Sequence, residues 1–478
     1  MKYTLKDYQY EAAEKALMNL SRARAMYQQF GSVSQFSLAA VTGAGKTVIS
    51  AGVIEALLFG SDEFDVEPDP GAVILWFSDD PAINEQSKAR IGSAAPSLIN
   101  RMWTIGNDFA LDSLTPGNVY FLNAQKLSKN ARLVRAERRR VEDELAATLM
   151  APPDMVQRSF YDILGNTIGQ DGVTVYMFLD EAHRGMKHDA ERTTIVQRLI
   201  NGYRNAPAMP VVVGISATVE RFEETIKHFP DRDKLSSVTV DPGKVQDSGL
   251  IKDAIVLHIP DEQGQFDMVL LREGVKKLRA VTQEWDQYTG AEGTSPIHPL
   301  LVVQVPDKAT NDELATILHT VYEAWPELPD TSVANVFGEH QDLKIVGYSV
   351  DYISPQDVQD THDVRILLAK EAISTGWDCP RAEVLVSFRP AVDQTHITQL
   401  LGRLMRTPLA MRIPGNEPLN SVTCFLPFFE KDTALKVADR LMKGGTSKDD
   451  DELNPGGQLQ VLIEPVEVHR NQDVDERV

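Results

Sequence analysis

Residues 38–59 read LAAVTGAGKTVISAGVIEALLF, a short apolar entry followed by a glycine turn and a helix. Within them, residues 40–47 are Ala-Val-Thr-Gly-Ala-Gly-Lys-Thr. Gly43 and Gly45 carry no Cβ, so the backbone N–H groups of the stretch from Thr42 through Ala44 to Gly45 can approach phosphate oxygens. The Lys46 ammonium would reach the β- and γ-phosphates of ATP, and the Thr47 hydroxyl would hold Mg²⁺. The helix that follows turns its positive end toward the same phosphates. The strict form of such a loop opens on glycine; here its first residue is Ala40.

Working outward, residues 72–77 (AVILWF) form an unbroken apolar run, as a strand buried on both faces of a parallel sheet should. Similar runs stand at 118–122, 173–179 and 211–215, with helix-like stretches between them. The pattern restarts after a polar stretch, with runs at 300–305, 333–337, 364–368 and 383–388. Alternation of this kind predicts two α/β domains with parallel sheets. The expected limits are 1–240 for the first domain and 241–430 for the second, with the junction near 236–255. Residues 129–170 read as a helical excursion, since RLVRAERRRVEDELAATLM is rich in helix formers and charge. Its basic run from Lys129 to Arg140 reads as a solvated face, with Glu137, Glu142, Asp143 and Glu144 in pairing range. Residues 431–478 include GGTSKDDDELNPGG and read as a tail or linker.

A length of 478 residues exceeds one compact core. No apolar run approaches the roughly 20 residues that span a bilayer, and MKYTLKDYQY lacks the apolar centre of a secretion signal, so a cytoplasmic protein with no membrane partner is expected. Cys379 and Cys424 form no metal-binding or disulfide pattern and read as core residues. The net charge of −21 excludes a uniformly basic nucleic-acid coat, but not a local positive track along a phosphate backbone.

A phosphate loop needs an acidic partner at the end of a buried strand, and VYMFLDEAH at 175–183 supplies one. Asp180 is placed to hold the metal through its water shell, and Glu181 to orient and deprotonate the attacking water.

Asp180-Glu181-Ala182-His183, together with the loop at 40–47, resembles the superfamily-two helicases of the DEAH-box kind. The likeness continues in order along the chain. Leu5-Lys6-Asp7-Tyr8-Gln9 resembles the family element whose glutamine recognises adenine. Residues 74–79 and 121–127 stand where the family makes strand-end contacts with nucleic acid. Ser216-Ala217-Thr218 matches the Ser-Ala-Thr element that couples the ATP site to nucleic-acid movement, a coupling His183 would share. Ser374-Thr375-Gly376-Trp377-Asp378 resembles the second-domain element that senses both ligands, which places Gly376 and Asp378 at the nucleotide. Residues 399–406, QLLGRLMR, match Gln-x-x-Gly-Arg-x-x-Arg. There the family implies that Gln399 meets the γ-phosphate or attacking water, and that Arg403 and Arg406 stabilise charge on the transferring phosphoryl group.

The resemblance implies two RecA-like P-loop NTPase domains in tandem, ATP and Mg²⁺ in the cleft between them, and ATP hydrolysis that drives movement on nucleic acid. Within the family, Gly376-Trp377-Asp378-Cys379-Pro380 and the closing arginines look most like the motor subunits of type III and related restriction enzymes. Duplex DNA is then the favoured track, bacterial anti-phage defence the implied setting, and a partner subunit a source of nuclease or sequence specificity. No Pro-Asp…Asp/Glu-x-Lys nuclease pattern follows residue 406. An RNA helicase, or an ATP-switched interaction protein without translocation, remains open. Trp377 reads as a packed core residue rather than a base-stacking one.

Overall fold

The computed structural model describes residues 1–41, 43–79, 81–107, 109, 111–128, 131, 133–134, 158–180, 190–216, 232–260, 267–370, 377, 379–390, 394–443 and 460–466. The chain divides into two compact units, one of residues 1–40 and 45–241, the other of residues 41–44 and 242–478.

The first unit opens on helix α1 (Asp7–Phe30), whose Tyr8, Ala12, Ala13, Ala16, Leu17, Leu20 and Ala23 are buried at helical spacing. Gly31 ends it in the left-handed conformation, its N–H donating to the Tyr27 carbonyl. Strand β1 (Ser34–Ala39) leads to α2 (Lys46–Phe59), β2 (Ala72–Ser78), α3 (Pro81–Ala94), β3 (Met102–Thr104), β4 (Asn118–Asn123), α4 (Phe160–Ile168), β5 (Thr174–Asp180), α5 (Ala190–Asn201), β6 (Val211–Ser216), β7 (Asp233–Lys234) and β8 (Val238–Thr239). Among the described residues these strands form one sheet in the order β3-β4-β2-β5-β6-β1-β7, with β8 also on β1. Every pairing in it is parallel. The apolar runs read from the sequence are β2, β4, β5 and β6, each wholly buried. Of the excursion expected at 129–170, residues 160–168 form α4, capped by Ser159 and Asp162; residues 135–157 lie outside the described residues.

The second unit carries β9 (Ala254–Pro260), α6 (Asp267–Glu292), β10 (Leu300–Gln304), α7 (Asn311–Ala324), β11 (Val333–Asn335), β12 (Leu343–Ile345), β13 (Tyr348–Tyr352), β14 (Ile366–Ala369), β15 (Ala382–Ser387), α8 (Gln394–Leu404), β16 (Ser421–Phe425), α9 (Lys431–Lys443) and β17 (Gln460–Val466). Its sheet runs β12-β13-β11-β14-β10-β15-β16-β9-β17. The antiparallel pair is the β12–β13 hairpin at one edge; the other pairings are parallel. Helix α6 packs on the sheet through Leu270, Leu271, Val275, Leu278, Val281 and Trp285. The stretch expected as tail or linker contributes structure here: α9 is helical, and β17 pairs with β9 from Gln460 to Val466. Its composition hid the strand, because Val461, Leu462 and Ile463 follow directly on a glycine- and acid-rich segment.

Buried cations staple this unit. Arg381 is 2% exposed, and its guanidinium donates to the carbonyls of Val358, His298, Val364 and Thr361. Cys379, Cys424 and Trp377 are buried, as their core reading expects.

Candidate nucleotide site

In a parallel sheet, ligand groups gather at the carboxyl ends of the strands. The register of the first sheet sets three such ends side by side: Ala39 of β1 stands opposite Ser216 of β6, and Ile215 of β6 opposite Asp180 of β5. The Ala40 N–H donates to the Ser216 carbonyl at 3.2 Å, tying the start of the glycine loop to the serine expected to take part in coupling. One strand, β6, thus separates the loop-bearing strand from the acid-bearing strand.

The loop turns on glycine. Gly43 has φ +88° and Gly45 φ +78°, a region an L side chain rarely adopts. Gly45 is also the residue that precedes α2, in the left-handed conformation. A Cβ at Gly45 would lie 2.5 Å from Gln9 Nε2, so the Gln9 amide rests against the loop. Gln9 is 5% exposed, and its Oε1 accepts from the Lys6 N–H at 3.0 Å at the start of α1. The residue expected to read adenine is therefore fixed in place by the start of its own helix. Lys46 Nζ donates to the Ala40 carbonyl at 2.8 Å, folded across the loop it belongs to. Ala44 is buried, and its N–H donates to the Val41 carbonyl. Thr47 follows in the first turn of α2.

Asp180 closes β5 at 9% exposure, and its Oδ2 accepts a hydrogen bond from Ser87 Oγ at 2.9 Å. Ser87 sits on α3 and escaped the sequence reading, because a serine inside a helix carries no local sign of a partner across the sheet. The Asp180 carboxylate and the Thr47 hydroxyl are of a kind that suits Mg²⁺ with ATP, since both are hard oxygen ligands and Mg²⁺ is commonly completed by phosphates and water. Among the described residues no cluster of three His, Cys, Asp or Glu side chains is placed to hold a metal on its own.

In the second unit, Arg403 stands in the last turn of α8 and its Nη1 donates to the Trp377 carbonyl at 3.1 Å. Arg406 follows, bridged through its backbone to Ile251. Thr407 reinforces this pairing, its Oγ1 donating to the Gly249 carbonyl at 2.7 Å. The two arginines are thereby set on a short segment clamped to residues 249–252. Thr42, Glu181, His183, Thr218, Gly376 and Asp378 lie outside the described residues, as does the side chain of Gln399, whose backbone belongs to α8.

Two α/β units with parallel sheets, the first with a glycine loop and an aspartate at a strand end, have the fold of tandem RecA-like P-loop NTPase domains. Residues 2–221 match the family model described as Type III restriction enzyme, res subunit. Over residues 2–221 the chain is therefore similar to the motor subunits of type III restriction enzymes. Among solved structures it is similar to the ATP-dependent Type ISP restriction-modification enzyme LlaBIII bound to DNA, at 14% identity and TM-score 0.50, covering 96% of this chain and 31% of that one. It is also similar to S. cerevisiae Dbp5 bound to RNA and ADP BeF3, at 13% identity and TM-score 0.45, covering 96% of this chain and 94% of that one. A fragment of an HsdR subunit of a type I restriction enzyme from Vibrio vulnificus aligns at 15% identity and TM-score 0.44, covering 96% of this chain and 72% of that one. These identities speak to fold alone. No curated protein matches the sequence. Among the described residues, no helix is long and apolar enough to cross a membrane.

Proposed function

We propose that the chain is a nucleic-acid-dependent ATPase that moves along duplex DNA, the cytoplasmic motor of a restriction or anti-phage defence system whose nuclease or sequence specificity comes from a partner subunit. The observation that carries this reading is the alignment of loop, Asp180 and Ser216 on adjoining strand ends, inside the segment that matches the res-subunit family model.

In this reading Lys46 and the loop N–H groups hold the phosphates of ATP, and Gln9 reads the adenine. Thr47 and Asp180 hold Mg²⁺, which neutralises phosphate charge when bound. Glu181 orients the attacking water and takes its proton. Gln399, Arg403 and Arg406 supply charge and donors to the transferring phosphoryl group, with Gly376 and Asp378 also at the nucleotide. Ser216, Thr218 and His183 couple hydrolysis to strand movement. A planar guanidinium favours the transition state over the ground state if it meets the phosphates only in the reactive arrangement.

The deciding experiment compares ATP hydrolysis by the full chain with duplex DNA, single-stranded DNA and RNA of equal length. Strongest stimulation by duplex DNA is expected. Stimulation by RNA alone would assign an RNA track, and hydrolysis indifferent to all three would leave an ATP-switched interaction protein.

A further inference from the structure

Asp180 is held from outside the loop and strand motifs. Its Oδ2 accepts from Ser87 Oγ at 2.9 Å, and both residues are buried, at 9% and 5% exposure. Ser87 belongs to the inward face of α3, with Ile83, Asn84 and Ile91. Helix α3 starts just past the carboxyl end of β2, and the chain must then regain the opposite edge to enter β3, which runs parallel to the rest. The helix therefore descends along the sheet, and its first turns stand beyond the strand ends.

Asn84 lies three residues before Ser87, on the same face and one turn nearer the strand ends. It is 1% exposed, yet neither Oδ1 nor Nδ2 has a hydrogen-bond partner among the described residues. Buried amides are nearly always satisfied, so one left open on the ligand side of the sheet points to a partner that arrives with the ligand. A carboxylate has two oxygens, and a hydroxyl on one of them fixes the plane of both. Outer partners of this kind orient metal ligands and are commonly felt at about tenfold to a hundredfold in metal affinity.

We propose that Ser87 and Asn84 form a positioning pair behind Asp180, Ser87 setting the plane of the carboxylate that holds Mg²⁺ and Asn84 bonding the ordered water around that ion. The proposal rests on the reading of Asp180 as the metal residue. It also gives α3 a task. Because α3 continues from β2, whose end at Ser78 and Asp79 is an expected contact with nucleic acid, a displacement there reaches the metal carboxylate through one hydroxyl.

The test is Mn²⁺ binding to the full chain with a non-hydrolysable ATP analogue, followed by electron paramagnetic resonance, beside nucleotide affinity measured without metal. Ser87→Ala is expected to weaken Mn²⁺ binding by about tenfold and to raise the Mg²⁺ needed for half-maximal hydrolysis similarly, with metal-free nucleotide affinity unchanged. Ser87→Thr, which keeps the hydroxyl, is expected to retain most of the parent affinity, and Asn84→Ala to lose affinity in the same sense as Ser87→Ala. Parent-like Mn²⁺ binding in Ser87→Ala would overturn the proposal. So would equal loss in Ser87→Ala and Ser87→Thr with the thermal transition unshifted. If the parent itself binds no metal–nucleotide complex, the reading of Asp180 fails instead, which separates the two. Should Ser87→Ala not fold, Ser87→Cys decides, because a thiol fills the space but bonds a carboxylate weakly: metal affinity equal to the parent's would sink the idea.

Discussion

Lys252 Nζ donates to Glu383 Oε1 at 2.6 Å, with the two side chains 0% and 1% exposed. Trp285 Nε1 donates to the other carboxylate oxygen at 2.8 Å, and the lysine also donates to the Ser421 carbonyl at 3.1 Å. Burial alone pushes the lysine pKa down and the carboxyl pKa up; each partner opposes the shift in the other. The pair anchors the segment that clamps the arginines, since the Lys252 N–H donates to the Met405 carbonyl at 2.6 Å. Lys252→Met or Glu383→Gln alone should cost about 3–5 kcal/mol, because each strands a buried polar partner. Lys252→Met with Glu383→Leu should cost clearly less than either single change. Urea unfolding of the three variants checks this; a double variant as unstable as the sum of the singles would contradict it.

Arg403→Ala should lower kcat by about a thousandfold while leaving ATP affinity nearly intact, the range reported for arginines acting on a transferring phosphoryl group. Arg403→Lys should recover little, since an ammonium does not reproduce the planar fork. Single-turnover hydrolysis is the measurement, and parent-like rates in either variant would remove Arg403 from the chemistry.

Glu181→Gln should keep ATP and Mg²⁺ binding and slow turnover by at least about a hundredfold, because the attacking water loses its base. Nucleotide binding and hydrolysis measured on the same preparation separate the two effects.

Gly45→Ala should weaken nucleotide binding by tenfold or more, on the order of 1.4 kcal/mol. The new Cβ would meet Gln9 Nε2 at 2.5 Å, a contact a flexible side chain relieves by swinging away. The φ of +78° is not relieved in that way. Adding Gln9→Ala should therefore restore only part of the affinity. Full restoration in the double variant would show that crowding, rather than backbone strain, is the obstacle.

His258 titrates below its ordinary value of 6.5, first because it is half-buried, with the Phe425 ring stacked on it at 4.7 Å. Glu464 and Glu273 oppose the shift and Lys277 adds to it. A lowered folded pKa means the folded state binds fewer protons, so the stability is present above 6.5 and is lost as pH falls through the folded value. His298 shifts the same way. Denaturant unfolding at pH 7.5 and 5.5 should show lower stability at the acid pH, and His258→Leu should shrink that difference. A variant with an undiminished pH dependence would exonerate His258.

Much of the fold was legible because parallel strands buried on both faces are written as plain apolar runs, as at 72–77 and 211–215. Strand β1 was legible only at its end: Ser34, Gln35 and Ser37 are polar yet buried, so hydropathy hides them. Strand β9 buries alternate residues, and β16 is interrupted by the polar Ser421 and Thr423. The phosphate loop could be read because its residues are contiguous. Ser87 could not, because its partner is 93 positions away and only the folded sheet brings the two together.

The place of β9, between β16 and β17, bears on how the second unit is made. This strand leaves the ribosome before every other described strand of its sheet, yet its two neighbours are the last to be synthesised. Through most of elongation, Ile255, Leu257 and Ile259 belong to an apolar strand with both edges open, the kind of edge that recruits foreign strands. One edge of β9 can close only once residues 421–425 are made, and the other only once residues 460–466 are made, so the time this unit spends vulnerable to aggregation depends on the pace of translation through both segments.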